Sequence, residues 1–154
     1  MSAAIRPAHL SDVDRLLEIE QASFAGDRLS RRAFRFLVAS PTACVLAAEV
    51  SGVLAGYAIV LFRGTSRVAR LYSLASRFPG IGRRLLEAAE MEALRRGRSA
   101  MRLEVRTDND HAIRLYERAG YRRLELRPDY YQDGMAALRM QKGLCMAATG
   151  TAGP

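Results

Sequence analysis

At 154 residues, 49% of them hydrophobic and 26% charged, the chain can bury most of the surface its unfolded form would expose, without a metal or disulfide to staple it. That composition excludes a disordered or low-complexity protein, and no apolar run reaches the length of a membrane span or a signal-peptide core. A formal charge of +8 raises a polyanion as partner, but 23 of the 24 basic residues are arginine and they are spread along the chain. The denser groups, Arg28, Arg31, Arg32 and Arg35, then Arg95, Arg96 and Arg98, read first as solvated helix faces and helix ends. A nucleic-acid partner is therefore not expected. The two cysteines, Cys44 and Cys145, are too few and too far apart for a disulfide framework or a metal site, which points to a reducing cytoplasm.

In chain order, residues 3–6 form a short first strand stopped by Pro7. Ser11 heads an amphipathic helix, with Asp14 in an imperfect capping box, that carries Val13, Leu16, Leu17, Ile19 and Glu20 and ends at Phe24. Ser30 caps a second helix through Val38. Two apolar runs, residues 43–50 and 53–62, are joined by Ser51 and Gly52, a hairpin signal, and a third strand follows over residues 67–74. The period changes at Gly80 to that of a helix ending at Gly97, and MRLEVR (residues 101–106) alternates as a half-buried strand. Strand, helix, strand requires a parallel pair with a right-handed crossover. Asp110 caps a further helix through Ala119, and strands at residues 121–126 and 136–142 complete an α+β fold: a mixed, mostly antiparallel sheet with one central parallel pair, flanked by helices. No internal repeat or linker divides the chain, so residues 1–143 read as a single domain and residues 144–154 as a tail.

Chemistry concentrates between Ser73 and Tyr116. RFPGIG, from Arg77 to Gly82, fits RxxGxG, in which glycines bend the chain and leave the first helical amides free for an anion such as a diphosphate. It is not the dinucleotide pattern GxGxxG, and no lysine and serine of a Walker loop follow it. A structural helix entry stands beside the binding reading. Glu104, alternating on its strand, is either a cleft carboxylate or an ordinary one paired with Arg102 or Arg106. His9 and His111 lack metal-ligand spacing and read as surface residues.

LYSLASRFPGIGRRLLEAAE, then MRLEVRTDNDHAIRLYERAGY, then PDYYQDGMAALRMQK, resembles the Gcn5-related N-acetyltransferase (GNAT) superfamily from Ile5 to about Leu144. Within it the chain is similar to the ribosomal-protein-alanine N-acetyltransferases. The resemblance implies a fold in which the parallel pair splays apart and acetyl-CoA as co-substrate. Its diphosphate would rest on the amides of Ile81, Gly82 and Arg83, shaped by Arg77 and Gly80, and its pantetheine arm along the strand at Leu74, Ala75 and Ser76. It implies Glu104 as general base, Tyr116 as the acid that protonates the departing sulfur, and an oxyanion donor in the backbone amide near Leu74 or Ala75. Asn109 would either bond the cofactor or cap its helix, and Tyr130 and Tyr131 would wall the substrate. The acceptor would be a primary amine, a protein or peptide N-terminus before a small molecule. A module that binds CoA or nucleic acid without catalysis is the alternative. Two departures from the family pattern stand out: the turn before Arg77 is several residues short, and Met135 and Ala136 replace a pair of acids.

Overall fold

A computed structural model describes residues 3–145. Seven strands form one sheet in the order β1-β2-β3-β4-β5-β7-β6, where β1 is Ala4–Pro7, β2 Ala43–Val50, β3 Val53–Leu61, β4 Val68–Ser76, β5 Ala100–Arg106, β6 Arg122–Arg127 and β7 Ala137–Gly143. All neighbours are antiparallel except β4 and β5, which run parallel across the crossover helix. Four α-helices accompany them: α1 Val13–Ser23, α2 Arg31–Ala39, α3 Ile81–Arg95 and α4 Asp110–Arg118.

Local chemistry sets the boundaries. Pro7 closes β1 from within, opposite Leu46, because β1 is an edge strand on which a missing N–H goes unneeded. A short 3-10 turn, Leu10–Asp12, precedes α1, and the His9 amide donates to Asp12, so the cap lies earlier than a Ser11–Asp14 box would put it. Ser30 caps α2 through the Ala33 amide. Ser51 and Gly52 both take positive φ, 53° and 79°, as a two-residue hairpin turn between twisted strands demands. The α4 cap is Asn109, whose side chain accepts from the Ala112 amide, in place of Asp110. Leu144 still donates to the Ser99 carbonyl, so the structured part outlasts the boundary expected at 143, and the expected tail lies from residue 146 on outside the described residues.

The sheet is covered on both faces. Leu46, Ala58, Val60, Ala69, Leu71, Met101 and Leu103 pack with Leu85, Leu86 and Ala89 of α3 and with Ile113 and Tyr116 of α4. On the other face Val45, Ala47, Tyr57, Ile59 and Ala75 pack with Leu16 and Ile19 of α1 and Phe34 of α2. The continuous apolar run of β3 follows from burial on both sides.

Two irregularities in β4 place the site. Its pairing with β5 runs from Val68 opposite Ala100 to Leu71 opposite Leu103 and then stops, although both strands continue, so the sheet opens between them. At the same point the register with β3 jumps, Ile59 facing Ser73 but Val60 facing Leu71, which leaves Tyr72 as an extra residue. This bulge exchanges the faces of β4: Leu71 points towards α3, whereas Ser73 and Ala75, opposite Ile59 and Tyr57, point towards α1 and α2.

Candidate active site

The opening between β4 and β5 is a cleft of about 850 Å³. Its floor is β4 from Arg70 to Leu74 and β5 from Leu103 to Arg106, and its rims are the α1–α2 loop and the segment from Tyr130 to Asp133. The rims meet where Asp27 accepts from the Gln132 amide at 3.3 Å. Because the strands part here, Tyr116 on the α4 side and Glu104 on the opposite side line one space.

Glu104 alternates with Leu103 and Val105, which enter the α3 core, so its carboxylate faces the α1–α2 side. Its side chain is only 5% exposed. Arg70 Nε donates to Oε1 at 3.1 Å, and Arg139 Nε donates to Oε2 at 2.7 Å. The partners therefore come from the neighbouring strands, Arg139 standing directly opposite in register, and not from Arg102 or Arg106 on β5 itself. Arg102 donates to Gln141, and Arg106 to Asp108 and Asp133. The hydrogen bond with Glu104 also raises the Arg139 guanidinium above its ordinary value, so this clamp stays charged.

Tyr116 is 8% exposed, and burial pushes its phenol well above the ordinary tyrosine range. It is therefore protonated at neutral pH and able to donate. Tyr130 and Tyr131 stack edge to face at the rim, with ring centroids 5.0 Å apart. Tyr130 accepts from Arg70 Nη2 at 2.8 Å, and the Arg106 guanidinium lies 5.0 Å from the Tyr131 ring centre. Burial, then the neighbouring Tyr130, lifts the Tyr131 phenol to about 12.

Among the residues expected to hold a cofactor, Leu74 and Asn109 line the cleft, and Ala75 is buried on the α1–α2 face. Ser76 ends β4, Arg77 and Gly80 lie in the turn beyond it, and Ile81, Gly82 and Arg83 open α3. Gly80 caps α3 with φ +86°, a left-handed backbone conformation that residues with a side chain rarely adopt. The Ile81 amide bonds the Phe78 carbonyl, and the Arg84 amide bonds that of Gly80. Gly82 and Arg83 have no acceptor for their amides among the described residues, and no acid occupies the first turn. Two free amides at the positive end of a 15-residue helix are donors that an anion could use.

One constellation was not foreseen. Glu20, read from the sequence as one more residue of the α1 face, is 2% exposed and lines the cleft. Its carboxylate accepts from the Tyr57 hydroxyl and, at 2.7 Å, from the Leu29 amide, and the Tyr57 oxygen lies 3.2 Å from Ser73 Oγ. The only hint in the sequence was an acid on the buried stripe of a helix.

The sheet opens between two parallel strands, two unbonded amides stand at the helix start beyond the opening, and a buried carboxylate and phenol line it. A family model described as "Acetyltransferase (GNAT) domain" matches residues 11–144, and the chain belongs to that family and is an N-acetyltransferase. Acetyl-CoA is the acetyl donor that membership carries with it. The chain is 37% identical to the Mycobacterium tuberculosis N-alpha-acetyltransferase RimI, over 86% of this chain and 87% of that protein. It is also 37% identical to an uncharacterized Mycobacterium leprae protein, covering 79% of this chain but only 35% of that longer one. Among solved structures, the ribosomal-protein-S18-alanine N-acetyltransferase of Escherichia coli superposes with a TM-score of 0.83 at 28% identity, over 99% of this chain and all of that one. Among the described residues no helix is long and apolar enough to cross a membrane, and no group of three His, Cys, Asp or Glu could hold a metal ion.

Proposed function

We propose that the enzyme acetylates the α-amine at the N-terminus of a protein or peptide, in a reducing cytoplasm, with Glu104 as the base for direct attack on the thioester. The observation that carries this reading is the meeting of Glu104 and Tyr116 in the cleft opened where β4 and β5 part. The amides of Gly82 and Arg83 would take the diphosphate of acetyl-CoA, and β4 from Leu74 to Ser76, paired only with β3, would carry its arm. Glu104 accepts a proton as the nitrogen bonds the carbonyl, Arg70 and Arg139 hold the carboxylate against drift, and Tyr116 donates to the departing sulfur. Tyr130 and Tyr131 flank the incoming chain. An α-amine of pKa about 8 is far more often neutral at pH 7.5 than a lysine of about 10.4, which suits a single carboxylate base. The names of the relatives make alanine at a ribosomal-protein N-terminus the first acceptor to try. Glu104→Gln should lower kcat/KM on an alanine-initiated peptide by about 10²–10⁴-fold while acetyl-CoA still binds. Turnover near the wild-type rate would remove Glu104 from the mechanism.

A further inference from the structure

Acetylation of an ammonium takes two protons from one nitrogen: R–NH₃⁺ has three hydrogens and the amide product has one. One carboxylate can hold only one of them. Glu104 is also engaged, both its oxygens accepting from guanidinium groups. An α-amine of pKa about 8 is still mostly ammonium at pH 7.5, so a second outlet opens the reaction to that larger fraction, and the cleft contains a chain of groups with the connectivity for it.

We propose that Ser73, Tyr57 and the buried Glu20 form that outlet, taking the first proton from the substrate ammonium before Glu104 takes the second. The donor count sets the direction. Glu20 already accepts from the Leu29 amide, and the single phenolic hydrogen of Tyr57 goes to the other Glu20 oxygen. The Ser73 hydroxyl must then donate to the Tyr57 oxygen across their 3.2 Å contact, which leaves its lone pairs to accept an N–H from the cleft. The bulge at Tyr72 makes this possible. Without it Ser73 would face α3, whereas with it the hydroxyl lies on the side of the sheet that Glu104 faces, on the strand proposed to carry the thioester.

The step balances. The ammonium N–H bond breaks and its proton goes to Ser73 Oγ, the Ser73 proton goes to the Tyr57 oxygen, and the Tyr57 proton goes to Glu20, which becomes a neutral acid. The freed amine attacks, Glu104 takes the second proton, and the sulfur leaves as a thiolate held by the Tyr116 hydroxyl and then takes the Glu104 proton, so that both residues regain their starting states. After the product departs, the chain runs in reverse and returns the Glu20 proton to water in the cleft. Ser73 touches the substrate, and Tyr57 and Glu20 are positioning residues that act through it.

The inference rests on the proposed amine acetylation, so the test begins with the wild-type enzyme, acetyl-CoA and an alanine-initiated peptide. Absence of transfer there would overturn that reading and the outlet together. Given transfer, Ser73→Ala, a change of one oxygen, lowers kcat/KM for the peptide at least about tenfold with the KM for acetyl-CoA unchanged, and Ser73→Thr restores most of the rate. The wild-type rate in mixtures of H₂O and D₂O curves as a multi-proton transfer requires, and the Ser73→Ala rate does not. Tyr57→Phe gives the same loss, and the Ser73→Ala/Tyr57→Phe double variant loses no more than either alone, because the residues act as one unit. Ser73→Ala within about twofold of wild type, or losses that multiply in the double variant, would overturn the outlet while leaving the acetyltransferase reading in place.

Discussion

Tyr116 illustrates how burial would rank the two proposed catalytic groups. Moving a proton from an ordinary phenol of pKa about 10 to a thiolate of about 8.5 is uphill by roughly 2 kcal/mol. Burial pushes the Tyr116 phenol further up and steepens that step. Its contribution is then mainly a hydrogen bond to the developing charge on sulfur, so Tyr116→Phe should cost about tenfold in kcat/KM, less than Glu104→Gln. A larger loss for the phenylalanine variant would invert the ranking. Asp12 carries the acid sensitivity of the first turn. Arg6 donates to its two oxygens at 2.8 and 3.1 Å, and this contact, more than the His9 amide, holds the carboxyl below its ordinary value. A folded-state value below the unfolded one of about 3.9 means stabilisation that is present above about pH 4 and lost as pH falls through the folded value. Asp12→Asn should lower stability at pH 7 by about 1 kcal/mol and flatten the acid limb below pH 4, read from urea unfolding at both ends of that range. An unchanged acid limb would place the sensitivity elsewhere.

Among the elements, β3 and β4 are fitted most tightly. A Cβ added at Gly56 would lie 2.6 Å from the Ala75 carbonyl oxygen and 3.0 Å from a methyl of Leu85, so helix α3 and the sheet both close on this glycine. Gly56→Ala should destabilise the protein by about 1–3 kcal/mol, and thermal unfolding at an unchanged midpoint would show that the strands can part there. The sequence disclosed those elements whose signals are local. The Ser51–Gly52 hairpin, the Ser30 cap and the period change at Gly80 each lie within a few residues. The α4 cap was misplaced by one because Asn109 and Asp110 are both capping residues, and only the bond to the Ala112 amide distinguishes them. The apolar pattern ended β4 at Leu74 and only the family resemblance carried the strand to Ser76, where the structure ends it, because the strand continues past the bulge and its alternation does not. The partners of Glu104 were illegible for the same reason: Arg139 is opposite it only once β5 and β7 have a register. Glu20 meets Tyr57 across 37 positions of chain, which no pattern in either segment announces.

At the scale of the molecule, the positive charge is more engaged than its spread suggests. Arg31 pairs with Asp14, Arg96 with Glu92, and Arg98 donates to the carbonyls of Arg63, Gly64 and Ser66, tying the loop before β4 to the end of α3. Arg96 and Arg98, read as solvated helix ends, thus fasten neighbouring loops near the end of α3, which makes a bare count of charge a poor guide to partners. What the whole fold provides is a sheet continuous enough to hold Glu104 and Ser73 on one side and open enough to admit Tyr116 from the other. The central claim, that this cleft acetylates an α-amine, is tested by giving the enzyme acetyl-CoA and one peptide that begins with alanine and contains an internal lysine. Tandem mass spectrometry then locates the acetyl group. The account predicts acetylation at the terminal nitrogen with matching thiol release, and acetylation confined to the lysine, or none on the peptide, would contradict it.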